Sequence, residues 1–143
     1  MYSTGRNERQ VPGASYNYMT ELHSSRDQRR MIAEINMAYA PALVILDAMQ
    51  AFTTEGPDRG TLVEPGIVIA GTDRIAVDAV GVALLRHHGT TPEVSRGPIF
   101  AQEQIARAVQ LGLGVSAPQA IQLATDDDAS AVVARRLETL LRG

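Results

Sequence analysis

Two aspartates carry most of the chemical information in this chain. Asp47 closes the apolar run Ala42-Leu43-Val44-Ile45-Leu46, and Asp73 follows Gly66-Ile67-Val68-Ile69-Ala70 after Gly71 and Thr72. If both runs are parallel strands, both carboxylates stand at strand carboxyl ends, where open α/β sheets bind their ligands. A pair of carboxylates on one lip could hold a hard divalent cation, or orient a polar substrate and accept its proton. Between the two runs lies Gly56-Pro57-Asp58-Arg59-Gly60. Its glycines would let backbone amides come close to a ligand. Each group also has an ordinary role: Asp73 as a helix N-cap, Asp47 as a turn residue, and the glycine loop as a surface turn.

Asp78 is a third carboxylate of interest, set between Val77 and Ala79 in an apolar stretch. A carboxylate placed there needs a partner or its pKa rises, and Arg74, four residues earlier on the same helix, is the expected one. Asp78 also follows Asp73 by just over one helical turn, close enough to share a pocket. Gly112-Leu113-Gly114 ends a helix rather than opening one, so it is no dinucleotide fingerprint. His87 and His88 are neighbours on a helix and point about 100° apart, which suits the helix dipole better than one metal ion. The run Asp126-Asp127-Asp128 reads as a helix cap. There is no serine in a strand–turn–helix elbow to act as a hydrolase nucleophile.

The elements that must position these groups follow from periodicity. Met31, Ile32, Ile35, Ala38 and Tyr39 recur at helical spacing until Pro41 stops them. Two apolar runs then read as interior strands, because continuous apolar strands are normally buried on both faces. Thr72 or Asp73 caps a helix that runs to about His88 and ends at Gly89. An amphipathic helix spans about Phe100 to Leu111, Ala120 to Ala124 alternates like a half-exposed strand, and a last helix follows Asp128. The order α-β-loop-β-α-α-β-α predicts a layered α/β domain with a small, mostly parallel sheet flanked by helices. Residues 1–25, with scattered Gly, Pro, Ser and Thr, read as an N-terminal tail, partly disordered or docking, and 26–143 as a single α/β domain.

Composition narrows the chemistry further. The chain has 143 residues, 45% of them hydrophobic and 20% charged, with net charge −3. It has no cysteine, which excludes thiol nucleophiles, disulfides and a cysteine-held iron–sulfur cluster. All 13 basic residues are arginines, so Schiff-base lysine chemistry is excluded as well. The acidic balance argues against nucleic acid, no apolar run is long enough for a membrane span, and no signal segment opens the chain. A cytoplasmic protein is expected. Strands apolar on both faces need more cover than so few elements supply, which predicts a homo-oligomer or a partner protein chain.

The succession Ile-Ala-Glu-Ile-Asn (32–36), Pro-Ala-Leu-Val-Ile-Leu-Asp-Ala (41–48), Glu-Gly-Pro-Asp-Arg-Gly (55–60) and Ile-Ala-Gly-Thr-Asp-Arg-Ile-Ala-Val-Asp-Ala-Val (69–80) resembles domain of unknown function family 362. The likeness spans about residues 20–130, taking in Gly-Leu-Gly at 112–114, and matches the carboxyl-terminal part of a longer domain. It implies ligand-binding positions at Asn36, Asp47, Gly56, Pro57, Gly60, Asp73 and Asp78, with His23 a further motif position. No particular reaction comes with the family. The iron–sulfur segments of some members have no counterpart in a chain without cysteine. The expected function is a ligand- or divalent-cation-binding domain, with Asp47 and Asp73 as the metal carboxylates. The alternative is a non-catalytic structural or interaction domain, detached from a longer protein.

Overall fold

The computed structural model describes residues 18–56 and 59–143. Most of the expected tail, together with Pro57, lies outside the described residues. Helix α1 (Tyr18–Ser24) leads into α2 (Gln28–Ile35), which tightens into a short 3₁₀ turn at Asn36–Ala38 before Pro41. Strand β1 (Val44–Ala48) is followed by the short strands β2 (Ala51–Phe52) and β3 (Leu62–Val63), then by β4 (Ile67–Gly71). Helix α3 (Arg74–His88) begins at the Asp73 cap and stops at Gly89, whose φ of 84° suits glycine. The short α4 (Pro92–Ser95), then α5 (Glu103–Gln110) and α6 (Asp128–Arg142), complete the chain. Asp127 caps α6 through the Ser130 amide at 2.8 Å.

The sheet differs from the parallel one that the sequence pattern predicts. β1 pairs antiparallel with β4, with Val44 opposite Gly71 and Asp47 opposite Val68. β2 pairs antiparallel with β3 as a separate hairpin, so among the described residues there are two two-stranded antiparallel pairs. The connection explains the difference. A parallel pair needs a crossover of a dozen or more residues, usually a helix, to carry the chain back. Here the β1–β4 connection holds only a hairpin, which returns the chain antiparallel. The strand expected at Ala120–Ala124 does not form either: Pro118–Ala120 is a 3₁₀ turn, and the extended residues after it join no ladder.

Helices cover one face of the β1–β4 pair. Leu46, Ile67 and Ile69 point into the core, while Ile45 and Val68 are 63% and 60% exposed on the opposite face. The runs are apolar on both sides, but among the described residues only one side is covered. α3 is the central element, burying Ile75, Val77, Ala79, Val80, Ala83 and Leu84. It lies so close to β1 that a Cβ at Gly81 would come within 2.9 Å of Leu46 Cδ1. Ile99, Ile105, Ile121, Leu137 and Leu141 join the same core from the carboxyl-terminal half. Each such side chain contributes ~1.5–3 kcal/mol by leaving water. Among the described residues no helix is long and apolar enough to cross a membrane.

Candidate functional site

Asp73 is held by backbone on both carboxylate oxygens. Oδ1 accepts from the Ala76 amide at 2.9 Å, capping α3, and Oδ2 accepts from the Val115 amide at 2.8 Å. Gly112 turns the chain toward this corner with a φ of 69°, and a Cβ on Gly114 would collide with the carboxylate. The Gly-Leu-Gly sequence therefore brings main chain against Asp73, which ties the entry of α3 to the segment after α5.

The antiparallel register separates Asp73 from Asp47. Asp47 sits three residues along the ladder from Val44, about 10 Å at ~3.4 Å per residue. Asp73 lies beyond Gly71, at the Val44 end. The single lip expected to carry both carboxylates required parallel strands and does not exist. Asp47 is exposed and accepts from the Met49 amide at 2.9 Å, closing a local turn. Gly56 and Gly60 lie between β2 and β3, where Gly60 has a φ of 115° and Thr54 Oγ1 accepts from the Thr61 amide. The loop end of that hairpin is tied to the segment after α3 by Thr90 Oγ1, which donates to the Thr53 carbonyl at 2.8 Å.

A different set of groups converges on Asp78. A crevice of about 350 Å³ opens between the end of α2, the entry to β1, α3 and α5, lined by Asn36, Tyr39, Arg74, Asp78 and Gln104 among apolar neighbours. Asp78 also lines a groove along the free edge of β1 that reaches Asp47 at its far end. A third hollow, beneath Leu46, includes Asp78 with Arg29 and Gln102. The structure thus joins Asn36 to Asp78 on one side and Asp47 to Asp78 on the other.

Arg74 does not pair with Asp78. Its Nη1 donates to the Asn36 carbonyl at 2.5 Å, and the guanidinium lies 5.5 Å from the centre of the Tyr39 ring. The Tyr39 hydroxyl donates to Asn36 Oδ1 at 2.7 Å, while Asn36 Nδ2 donates to the Ile32 carbonyl at 2.7 Å. With Arg74 drawn toward α2, Asp78 keeps a side chain reachable by solvent within the crevice. Desolvation by the surrounding protein raises its pKa above the ordinary carboxylate range, and hydrogen bonding from Gln104 opposes that shift. Asn36, Arg74 and Tyr39 form a braced wall, and Asp78 supplies a carboxylate facing the open space.

Tyr39 and Gln104 complete the crevice and were not among the expected site residues. Tyr39 has a sequence signal, an aromatic that continues the α2 period to the helix stop. Gln104 has none, since it is one polar residue on an amphipathic helix 26 positions after Asp78. Among the described residues, no three acidic or histidine side chains cluster as a metal site.

No curated protein and no solved structure matched this chain. A family model described as domain of unknown function (DUF362) matches residues 10–83, just over half of the chain. The match takes in Asn36, Asp47, Asp73 and Asp78 and ends inside α3, short of the 20–130 span that the motif resemblance suggests. The chain belongs to the DUF362 family.

Proposed function

We propose that this domain binds a small polar ligand in the Asp78 crevice. The observation that carries the reading is a carboxylate standing at the junction of three hollows without an arginine partner among the described residues. Binding crevices are concave and largely apolar with a few convergent polar groups, and volumes of ~300–1,000 Å³ are typical. Asp78 would accept an N–H or O–H from the ligand. Arg74 has guanidinium N–H groups beyond the one spent on Asn36, and these suit a carboxylate. Hydroxy- and amino-carboxylates therefore fit the donor and acceptor set best.

The test follows chemical shifts by NMR while glycolate, lactate and glycine are titrated separately. Saturable changes at Arg74, Asp78 and Gln104, weakened at least about tenfold by Asp78→Asn, support the reading. Absence of saturation in the millimolar range for every probe rejects it. Mg²⁺, Mn²⁺ and Ca²⁺ are titrated in parallel. Saturation by a cation alone, lost in Asp78→Asn, reassigns the crevice to metal binding.

A second reading, an interaction domain, rests on the uncovered sheet face with Ile45 and Val68 exposed. Apolar surface of this kind favours association with a second copy or another chain.

A further inference from the structure

The sheet stops at β4, yet an extended segment lies beyond it. Ile121 has extended backbone angles, φ −101° and ψ 128°, and residues 121–125 alternate as a strand does: Ile121 buried, Gln122 exposed, Leu123 half-buried, Ala124 exposed. The alternation that predicts a strand is physically present, but among the described residues the backbone of Gln122–Thr125 pairs with no strand.

Two hollows, of about 280 and 240 Å³, lie between this segment and β4. The first is bounded by Ile67–Ala70 on one side and Gln122–Asp126 on the other. The second continues past Gly71 toward Asp73, opposite Ala120–Leu123. Together they make a slot the length of β4, its two walls running in opposite directions. Its floor is α3 and α6, through Val80, Val133, Ala134 and Leu137. Ile121 and Leu123 anchor their wall by packing into the core, and the Ile121 N–H donates to the Pro118 carbonyl, which leaves Gln122–Thr125 as the stretch without a backbone partner among the described residues.

We propose that the slot receives one extended strand from a different protein chain, which completes a sheet in the order β1, β4, added strand, 121–125. The walls decide the occupant. Among the described residues, the outer edge of β4 and the stretch Gln122–Thr125 present unpaired main-chain N–H and C=O groups, which an extended backbone satisfies in two directions at once. An α-helix of ~10 Å diameter satisfies neither wall, whereas strands stack ~4.8 Å apart. Side chains directed at the floor meet Val80, Val133 and Leu137, so alternate residues of the incoming strand are apolar. Asp126 lines the end of the slot near Thr125, and the chain carries net charge −3, so the incoming strand carries an arginine or lysine there. Because the walls are antiparallel to each other, the added strand is parallel to one and antiparallel to the other.

The probe is a short synthetic peptide of alternating valine and threonine with arginine at both ends, set against the same peptide N-methylated throughout. Saturable binding is expected with the full chain, together with slowed amide exchange in both Ile67–Gly71 and Gln122–Thr125. N-methylation should weaken binding at least about tenfold, because it removes the donors and leaves the side chains. Ala134→Phe, which fills the floor, should weaken it comparably while retaining a cooperative melting transition. If that variant does not fold, the N-methylated peptide still decides the matter. No binding at millimolar peptide, protection of one wall only, or equal binding of the N-methylated peptide overturns the proposal. Light scattering that shows a dimer, with both walls protected in the absence of peptide, also overturns it by making a second copy the occupant.

Discussion

Asp73 and Asp78 stand five residues apart at the start of one helix and illustrate opposite uses of a carboxylate. Asp73 has each oxygen on a backbone amide, one from its own helix and one from the Val115 segment. Asp78 has Gln104 beside it and lines the crevice. The first is spent on holding two elements together. The second is exposed to solvent at a crevice and retains acceptor capacity, which is what a ligand with a hydrogen-bond donor requires. Position at the end of an apolar strand, which singles out Asp73 in the sequence, therefore marks structure here. The less conspicuous residue, inside the helix, faces the usable space.

The largest expected effect lies on the structural side of this contrast. Asp73→Ala removes a cap and orphans the Val115 amide, and should cost about 2–3 kcal/mol in urea denaturation. A loss below ~0.5 kcal/mol would mean that the two amides find water at no cost, and the contrast would collapse. Gly114→Ala sharpens the same point from the other side, since the new methyl must displace a doubly bonded carboxylate. We expect a loss of about 1–2 kcal/mol, smaller because the loop has some room to shift. The combination of Gly114→Ala with Asp73→Ala should cost less than the sum of the two, because the collision is then gone.

Asp78→Asn should behave differently. With its pKa raised in the folded chain, Asp78 binds its proton more tightly folded than unfolded. Its favourable contribution is therefore complete at pH below the ordinary carboxylate range and is lost as pH rises through the raised value. The asparagine variant escapes that loss. Its stability relative to wild type should rise slightly with increasing pH across that window and then level off, as read from urea melts at a series of pH values. A variant that is markedly less stable at neutral pH would return Asp78 to a structural role. The smallest effect is expected at Glu34, which joins α2 to α5 by accepting from both Nε and Nη2 of Arg107 at 2.9 and 2.7 Å. Both side chains are partly in water, so Glu34→Gln should change stability by less than ~1 kcal/mol in the same assay.

Helices α2, α3, α5 and α6 were legible in the sequence because their signals are local, whereas α1 lies in the expected tail and α4 is a single turn. Asp73 and Asp127 cap where expected, Gly89 and Gly112 stop helices at positive φ, and the apolar period of α2 ends before Pro41. The positions of β1 and β4 were legible for the same reason. Their relative direction was not, because a continuous apolar run predicts burial on both faces, whereas Ile45 and Val68 face outward. The missing crossover helix was the better guide, since the Gly56–Gly60 breakers leave no room for one. The site followed the same division. Asn36 and Asp78 converge as residues of one crevice, but the Asp47–Asp73 lip depended on strand direction and failed with it. The route of Arg74 to Asn36 could not be read from an i, i+4 spacing, because the competing acceptor is 38 residues away.

The antiparallel β1–β4 pair with α3 against it also bears on how the chain acquires its fold. These three elements are consecutive along residues 44–88, apart from one small hairpin, so their contacts close short loops and cost little chain entropy. α6 reaches the same helix only from the far end of the sequence, which makes its docking the costlier closure. The β1–β4–α3 unit should therefore order first, with α6 added as a later layer. In pulsed hydrogen exchange during refolding, the amides of Leu46, Ile69 and Val80 should gain protection before those of Leu137 and Leu141. The reverse order would show that α6 is part of the nucleus.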